Sequence, residues 1–197
     1  AEELGFRIKH LGIARRAEKG IELRVHPTLI PDEQLIANVN GVKNAVLVQA
    51  NAVGPTLYYG AGAGAGPTAS AVVADVIDIV RDISYTEDGA GTIPQLAFEA
   101  LTNMPILSRE EMTTGYYIRL NAEDQTGVLA DVTTILSRAG ISIDAIMQQS
   151  RLKDLIPIVI LTDPIVESKM DDALAQIQAL PAIRGEIVRI RLESLDS

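Results

Sequence analysis

Cysteine and tryptophan are absent from this chain of 197 residues, and histidine occurs only at His10 and His26. Without thiols there is no disulfide framework and no thiolate metal site, and two lone histidines do not form a clustered imidazole site, so no metal is expected. Positive charge is also scarce. Seventeen Lys and Arg against 26 Asp and Glu leave a formal charge of -9, whereas gripping a nucleic-acid backbone demands a basic face; no nucleic-acid partner is expected. Although 47% of the residues are apolar, no uninterrupted apolar run reaches the roughly 20 residues that cross a bilayer. The first residues, AEELGFRIKH, carry acids and no apolar stretch of leader length. The expectation is a soluble, cytoplasmic protein with no membrane partner. Aromatic residues make up only 4%, which calls for an aliphatic core of the kind formed where strands pack on helices.

What the chain does have is a glycine-rich run feeding a helix, GAGAGAGPTASAVVADVIDIVRD, residues 60–82. Glycines at 60, 62, 64 and 66 leave backbone with almost no side chain, against which a flat or charged ligand can lie. Pro67 suits a first helical turn. Beyond it Val72, Val76 and Val80 share a stripe with Ala69, Val73 and Ile83, with Asp75, Asp78 and Asp82 opposite. Unpaired N–H groups at such a helix start attract anions and cofactor edges. Glycine repeats also serve as plain tight turns, and the residues alone leave both readings open.

The length suits two domains. In the first half, Arg7–Arg16 and Ile21–Val25 flank Glu18-Lys19-Gly20 as a β-hairpin. The stretch HPTLIP reads as a break with His26 in a turn, and Asp32 precedes a short helix over 34–37. Residues 44–49 and 57–59 read as strands around the turn cluster 51–55. The opening strand, phosphate turn and second strand of a complete nucleotide-binding fold are missing. Residues 83–112, with two glycines, two prolines and little periodicity, read as an inter-domain connector with one helical turn at 95–101. The second half then gives a strand at 116–120, a helix at 127–139 stopped by Gly140, strands at 141–147 and 155–162, a helix from about 167 to Pro181, and a strand around 188–192. That order is βαββαβ, the split ferredoxin-like arrangement, and the fold class is α+β.

At the first strand-to-helix junction of this half stands EDQTGVLADV. Asp124 can hold an ammonium group while N–H groups near Gly127, Val128 and Leu129 hold a carboxylate, a polarity that fits an amino acid. Capping of the helix by Asp124 or Thr126 explains the same residues without a ligand. No catalytic constellation stands out. Glu2, Glu3, Lys9 and His10 are scattered, and Lys19 with Arg15-Arg16 read as turn and strand-edge charges.

The segment PTLYYGAGAGAGPTASAVVADVID, with NGVKNAVLVQANAVG before it, resembles the closing part of the substrate and dimerisation domain of homoserine dehydrogenase. ELGFRIKHLGIARR also matches that family. The family pattern is a Val-Gly pair, an aromatic-rich strand, a Gly-x-Gly-Ala-Gly loop and a Pro-Thr-Ala helix start; QANAVG stands here where a Gly-Asp more often precedes the Val-Gly. From TTGYYIRL onward the chain resembles an ACT domain, with Asp124-Gln125-Thr126-Gly127 as its Asp-x-x-Gly opening. The resemblance implies residues 1–82 as the closing part of the substrate domain with its return helix, 83–112 as linker and 113–197 as the ACT domain. It implies an NADP- or NAD-dependent parent enzyme that interconverts L-aspartate 4-semialdehyde and L-homoserine. Gly60, Gly62, Ala63, Gly64 and Thr68 would contact the cofactor. Asp124, Thr126, Gly127, Val128 and Leu129 would bind an amino-acid effector, usually threonine in this family, in a homodimer or higher homo-oligomer. The family's catalytic lysine and acidic residues lie upstream of Ala1, so the segment alone is expected to be inactive. A non-catalytic amino-acid-binding regulator is the alternative, and a purely structural oligomerisation piece the third reading.

Overall fold

The structure, a computed structural model, describes residues 1–85, 102–148 and 155–195. The helical turn expected at 95–101 lies outside the described residues. The chain divides into two compact units, residues 1–37 with 104–196, and 38–103.

The first unit is built on a six-stranded sheet in the order β1-β2-β8-β5-β7-β6. Strands β1 (Phe6–Ala17) and β2 (Gly20–Pro31) form the expected hairpin, closed at Ala17 opposite Gly20 so that Glu18 and Lys19 alone make the turn. The strand does not break at HPTLIP. His26 and Pro27 lie within β2, paired with Leu11 and His10. A proline is tolerated where one side of a strand has no neighbour, and the far side of β2 meets β8 only at Thr28 and Leu29.

The rest of the unit is β5 (Thr113–Glu123), α2 (Val128–Arg138), β6 (Ile143–Gln148), β7 (Leu155–Val166), α3 (Glu167–Gln178) and β8 (Ile183–Leu192), the expected βαββαβ order. β5 lies antiparallel between β7 and β8, and β7 pairs with β6. Alternate residues of β5, Tyr116, Ile118, Leu120 and Ala122, face one side of the sheet. They pack with Val128, Val132 and Leu136 of α2, with Met170, Ala173 and Ile177 of α3, and with Ile158 and Ile160 of β7. Three- and four-residue spacings put the helix residues on one stripe. Each fully buried aliphatic side chain here contributes roughly 1.5–3 kcal/mol, and apart from Tyr116 this core is aliphatic, as the composition required.

Two joints tie the hairpin to this sheet. β2 and β8 run parallel at Thr28↔Arg191 and Leu29↔Leu192, extended by the Glu193 amide donating to the Leu29 carbonyl at 3.0 Å. Farther along, the Ile21 amide donates to the Pro105 carbonyl at 2.8 Å and the Leu107 amide to the Ile21 carbonyl at 2.9 Å. Residues 1–37 thus share a sheet with the second half of the chain.

The second unit contains the hairpin β3 (Lys43–Ala50) and β4 (Gly54–Ala61), in register from Lys43↔Ala61 to Ala50↔Gly54, and then α1 (Ala65–Tyr85). The short helical turn before it is a 3-10 turn at Leu35–Asn38, one residue later than expected. Pro67 falls in the first turn of α1, where its missing N–H leaves no partner unpaired. The valines of the expected stripe, Val72, Val73, Val76 and Val80, are all exposed.

Candidate functional site

The glycine run occupies the end of β4 and the turn into α1. Gly60 and Ala61 are still strand residues paired with Asn44 and Lys43, and Gly62, Ala63 and Gly64 form the turn. Each glycine has a different reason. A Cβ on Gly60 would meet nothing within 4 Å, whereas one on Gly62 would lie 1.3 Å from Asn44 Nδ2 and 3.0 Å from Asn44 Cβ. Gly64 has φ +121°, a conformation that side chains strain. The requirement for glycine at 62 and 64 thus has a source within the hairpin itself. The Gly64 carbonyl accepts the Thr68 amide at 3.1 Å, and the Gly62 amide donates to the Val42 carbonyl at 3.3 Å. Beside the turn is an open hollow of about 470 Å³, walled by Asn44, Val46, Tyr58, Tyr59 and the backbone of Gly60 and Gly62. Ala63, Gly64 and Thr68 are exposed at its end.

At the β5–α2 junction the backbone turns through Asp124–Gly127, all exposed. Gly127 takes the N-cap position with φ 96° and ψ -20°, so the N-cap residue itself carries no side chain. Val128 points into the core and Leu129 packs at its edge. Below the turn, Glu123 pairs with Arg184 and accepts Gln125 Nε2 at 2.7 Å.

Sequence reading did not single out a charged cluster centred on Glu167, the first residue of α3, whose side chain is fully buried. Tyr116 Oη donates to its Oε2 at 2.7 Å and Arg191 Nε at 2.9 Å, while Arg109 and Arg189 approach its Oε1 at 3.3 Å. Burial opposes the charged form of Glu167. The hydrogen bonds from Arg191 and Tyr116 and the fields of Arg191 and Arg189 outweigh it and hold the carboxyl down to about 2. Burial and the bond to Glu167 push the Tyr116 hydroxyl up. A second group lies on β2, where Arg24 Nε meets Glu22 Oε1 at 2.6 Å and Arg24 also pairs with Glu193. Glu193 Oε2 holds Arg15 at 2.9 Å, which gives one of the presumed edge charges a specific partner. His26 lies beside Arg24 and Thr28, and burial, with the nearby Arg191 and Arg24, lowers its pKa. The signal that could have located this cluster is the run Glu22, Arg24, His26, Thr28, polar residues at period two in a strand. Among the described residues no group of three or more His, Cys, Asp and Glu is placed to hold a metal, and no helix is long and apolar enough to cross a membrane.

Comparison with known proteins bears on both junctions. Residues 1–77 match the family model of homoserine dehydrogenase and residues 116–181 that of the ACT domain. Homoserine dehydrogenase of Pseudomonas aeruginosa is 54% identical over 200 residues, covering 100% of this chain and 46% of its own length. That of Neisseria gonorrhoeae is 50% identical, covering 99% and 45%. The crystal structure of a homoserine dehydrogenase from Thiobacillus denitrificans superposes with a TM-score of 0.89 at 56% identity, covering 98% of this chain and 44% of that one. The chain thus spans a little under half the length of the curated relatives it matches. It belongs to the homoserine dehydrogenase family, as a C-terminal region that carries an ACT domain.

Proposed function

We propose that this chain is the substrate-domain closure and regulatory module of an NAD(P)-dependent homoserine dehydrogenase, a cytoplasmic enzyme that interconverts L-aspartate 4-semialdehyde and L-homoserine on the route to threonine, methionine and isoleucine. The observation that carries this reading is the order of the two matches, with a strand–glycine turn–helix at the end of the first and an Asp-x-x-Gly turn at the start of the second. In this reading residues 1–82 complete the substrate domain, 83–112 link, and 113–197 sense.

The nicotinamide, when bound, supplies the hydride chemistry. The chain's own contribution is positional. Gly60 and Gly62 present bare backbone, Ala63 and Gly64 turn it, and Thr68, whose amide is bonded to the Gly64 carbonyl, lies in the first turn of α1. In the ACT half, the carboxylate of Asp124 and the first N–H groups of α2, at Gly127, Val128 and Leu129, offer opposite polarities to a zwitterion, with the Thr126 hydroxyl between them. Threonine is the proposed effector, bound where two copies pair in a homo-oligomer.

The test is made on the full-length polypeptide that contains this chain. Purified, it should reduce NADP or NAD in the presence of L-homoserine and bind L-threonine by isothermal titration, while the 197-residue segment, which lacks a phosphate-binding turn, should show no turnover. Absence of homoserine-dependent reduction in the full-length protein refutes the enzymatic reading. Threonine binding without any turnover would favour the amino-acid-binding regulator.

A further inference from the structure

We propose that the cleft bounded by β2, β8 and the turn at residues 109–112 binds a small oxyanion of the carboxylate or phosphate class. The cleft has a volume of about 480 Å³ and is lined by Arg24, His26, Arg109, Arg189 and Arg191, with Val25 and Met112 completing the wall. That volume falls within the ~300–1,000 Å³ range of ligand clefts. None of its lining residues belongs to the glycine turn or to the β5–α2 junction, so the proposal stands independently of the dehydrogenase reading.

Three observations support an anion here. The first is charge segregation: a chain of net charge -9 places four of its 17 Lys and Arg around one opening. No carboxylate shares the wall. Of the acids that pair with these arginines, Glu167 is fully buried and Glu22 and Glu193 nearly so, while Asp171, 40% exposed, holds Arg109 and Arg189 from outside the lining.

The second is unused donor capacity. A guanidinium carries five N–H donors in a planar fork suited to two oxygens of one anion. Arg109 spends Nε on Glu167 and Nη2 on Asp171, and Arg189 spends its two terminal nitrogens on the same acids. Among the described residues, Arg109 Nη1 and Arg189 Nε take no acceptor. Both guanidinium groups reach solvent, with side-chain exposures of 57% and 22%.

The third is His26. Its Nε2 lies 3.4 Å from Arg24 Nη1, which can only donate, so Nε2 is the acceptor and the ring proton is on Nδ1, 3.1 Å from the Pro27 carbonyl. Burial, with the fields of Arg191 and Arg24, disfavours the charged form of the imidazole in this wall of cations. A ligand that brings negative charge fits this wall; a cation would meet four guanidinium groups.

The experiment is isothermal titration of the full-length protein at low ionic strength, with inorganic phosphate in one arm and succinate in the other. At least one should bind saturably, and the arm that binds identifies the class. Arg109→Gln, at an exposed position, and Arg189→Gln should each weaken that binding by about tenfold or more, the scale of one charge-assisted hydrogen bond. Circular dichroism verifies that each variant is folded. In the unsubstituted protein the same titration should shift the His26 imidazole resonance. No saturable binding in either arm, binding that both folded variants leave unchanged, or a His26 resonance that stays in place overturns the proposal.

Discussion

Glu167→Gln keeps the size of the buried side chain and removes its charge, leaving Arg109, Arg189 and Arg191 around a neutral amide. The carboxyl has been displaced from its ordinary value of 4.5 to about 2, which at about 1.4 kcal/mol per pH unit corresponds to about 3 kcal/mol of stability. This agrees with the roughly 3–5 kcal/mol cost of removing one partner from a buried ion pair. Because the folded-state pKa is depressed, the contribution is complete above pH 4.5 and is lost as pH falls toward 2. At pH 3 about 1.4 kcal/mol remains. Urea unfolding of the parent and the variant, followed by circular dichroism at pH 7 and pH 3, should therefore show a gap of about 3 kcal/mol that shrinks by more than half. A gap under about 1 kcal/mol at pH 7, or one that does not narrow at pH 3, would refute the reasoning.

Gly62→Val in the full-length enzyme should lower cofactor affinity or turnover, but the Asn44 side chain also has to move, at an overpacking cost of about 1–3 kcal/mol. Comparing Gly62→Ala alone with Gly62→Ala in an Asn44→Ala background separates the two effects: recovered stability with persistent loss of cofactor affinity places the cofactor at the turn, and full recovery of both makes Gly62 a packing glycine. Asp124→Ala should weaken threonine binding about tenfold or more while activity without threonine stays unchanged. If affinity and inhibition are both retained, the sensing site lies elsewhere.

The βαββαβ half was legible because every element carries its own signal. α2 has its apolar stripe and a glycine stop, and β5 alternates cleanly. The glycine turn and the 17–20 hairpin were equally plain. The charged cluster was not, for a specific reason. In β2 the alternation of Leu23 and Val25 with Glu22, Arg24 and His26 defines two faces, but a period of two does not say which one is covered. The apolar face would ordinarily be assigned to the interior. Here Glu22, Arg24 and His26 are covered, because Glu193 meets Arg24 from beyond β8, while Leu23 and Val25 are exposed. Arg189 and Arg191 alternate with apolar residues in the last strand, but their partner Glu167 lies on a different element and no local pattern joins them. The β2–β8 joint rests on two register pairs and left no mark on composition. His26 was misplaced in a turn because a proline beside it reads as a strand end, which holds for a strand flanked on both sides and not for one with an open side.

That short parallel joint has a consequence for assembly. By lying against β8, β2 covers one of the two margins of the four-stranded βαββαβ sheet, so that among the described residues β6 is the margin of those four strands left without a strand partner. The β6 end, IDAIMQ, has a single acid and three large apolar residues. A side-by-side partner for these four strands would thus meet a largely apolar edge at β6.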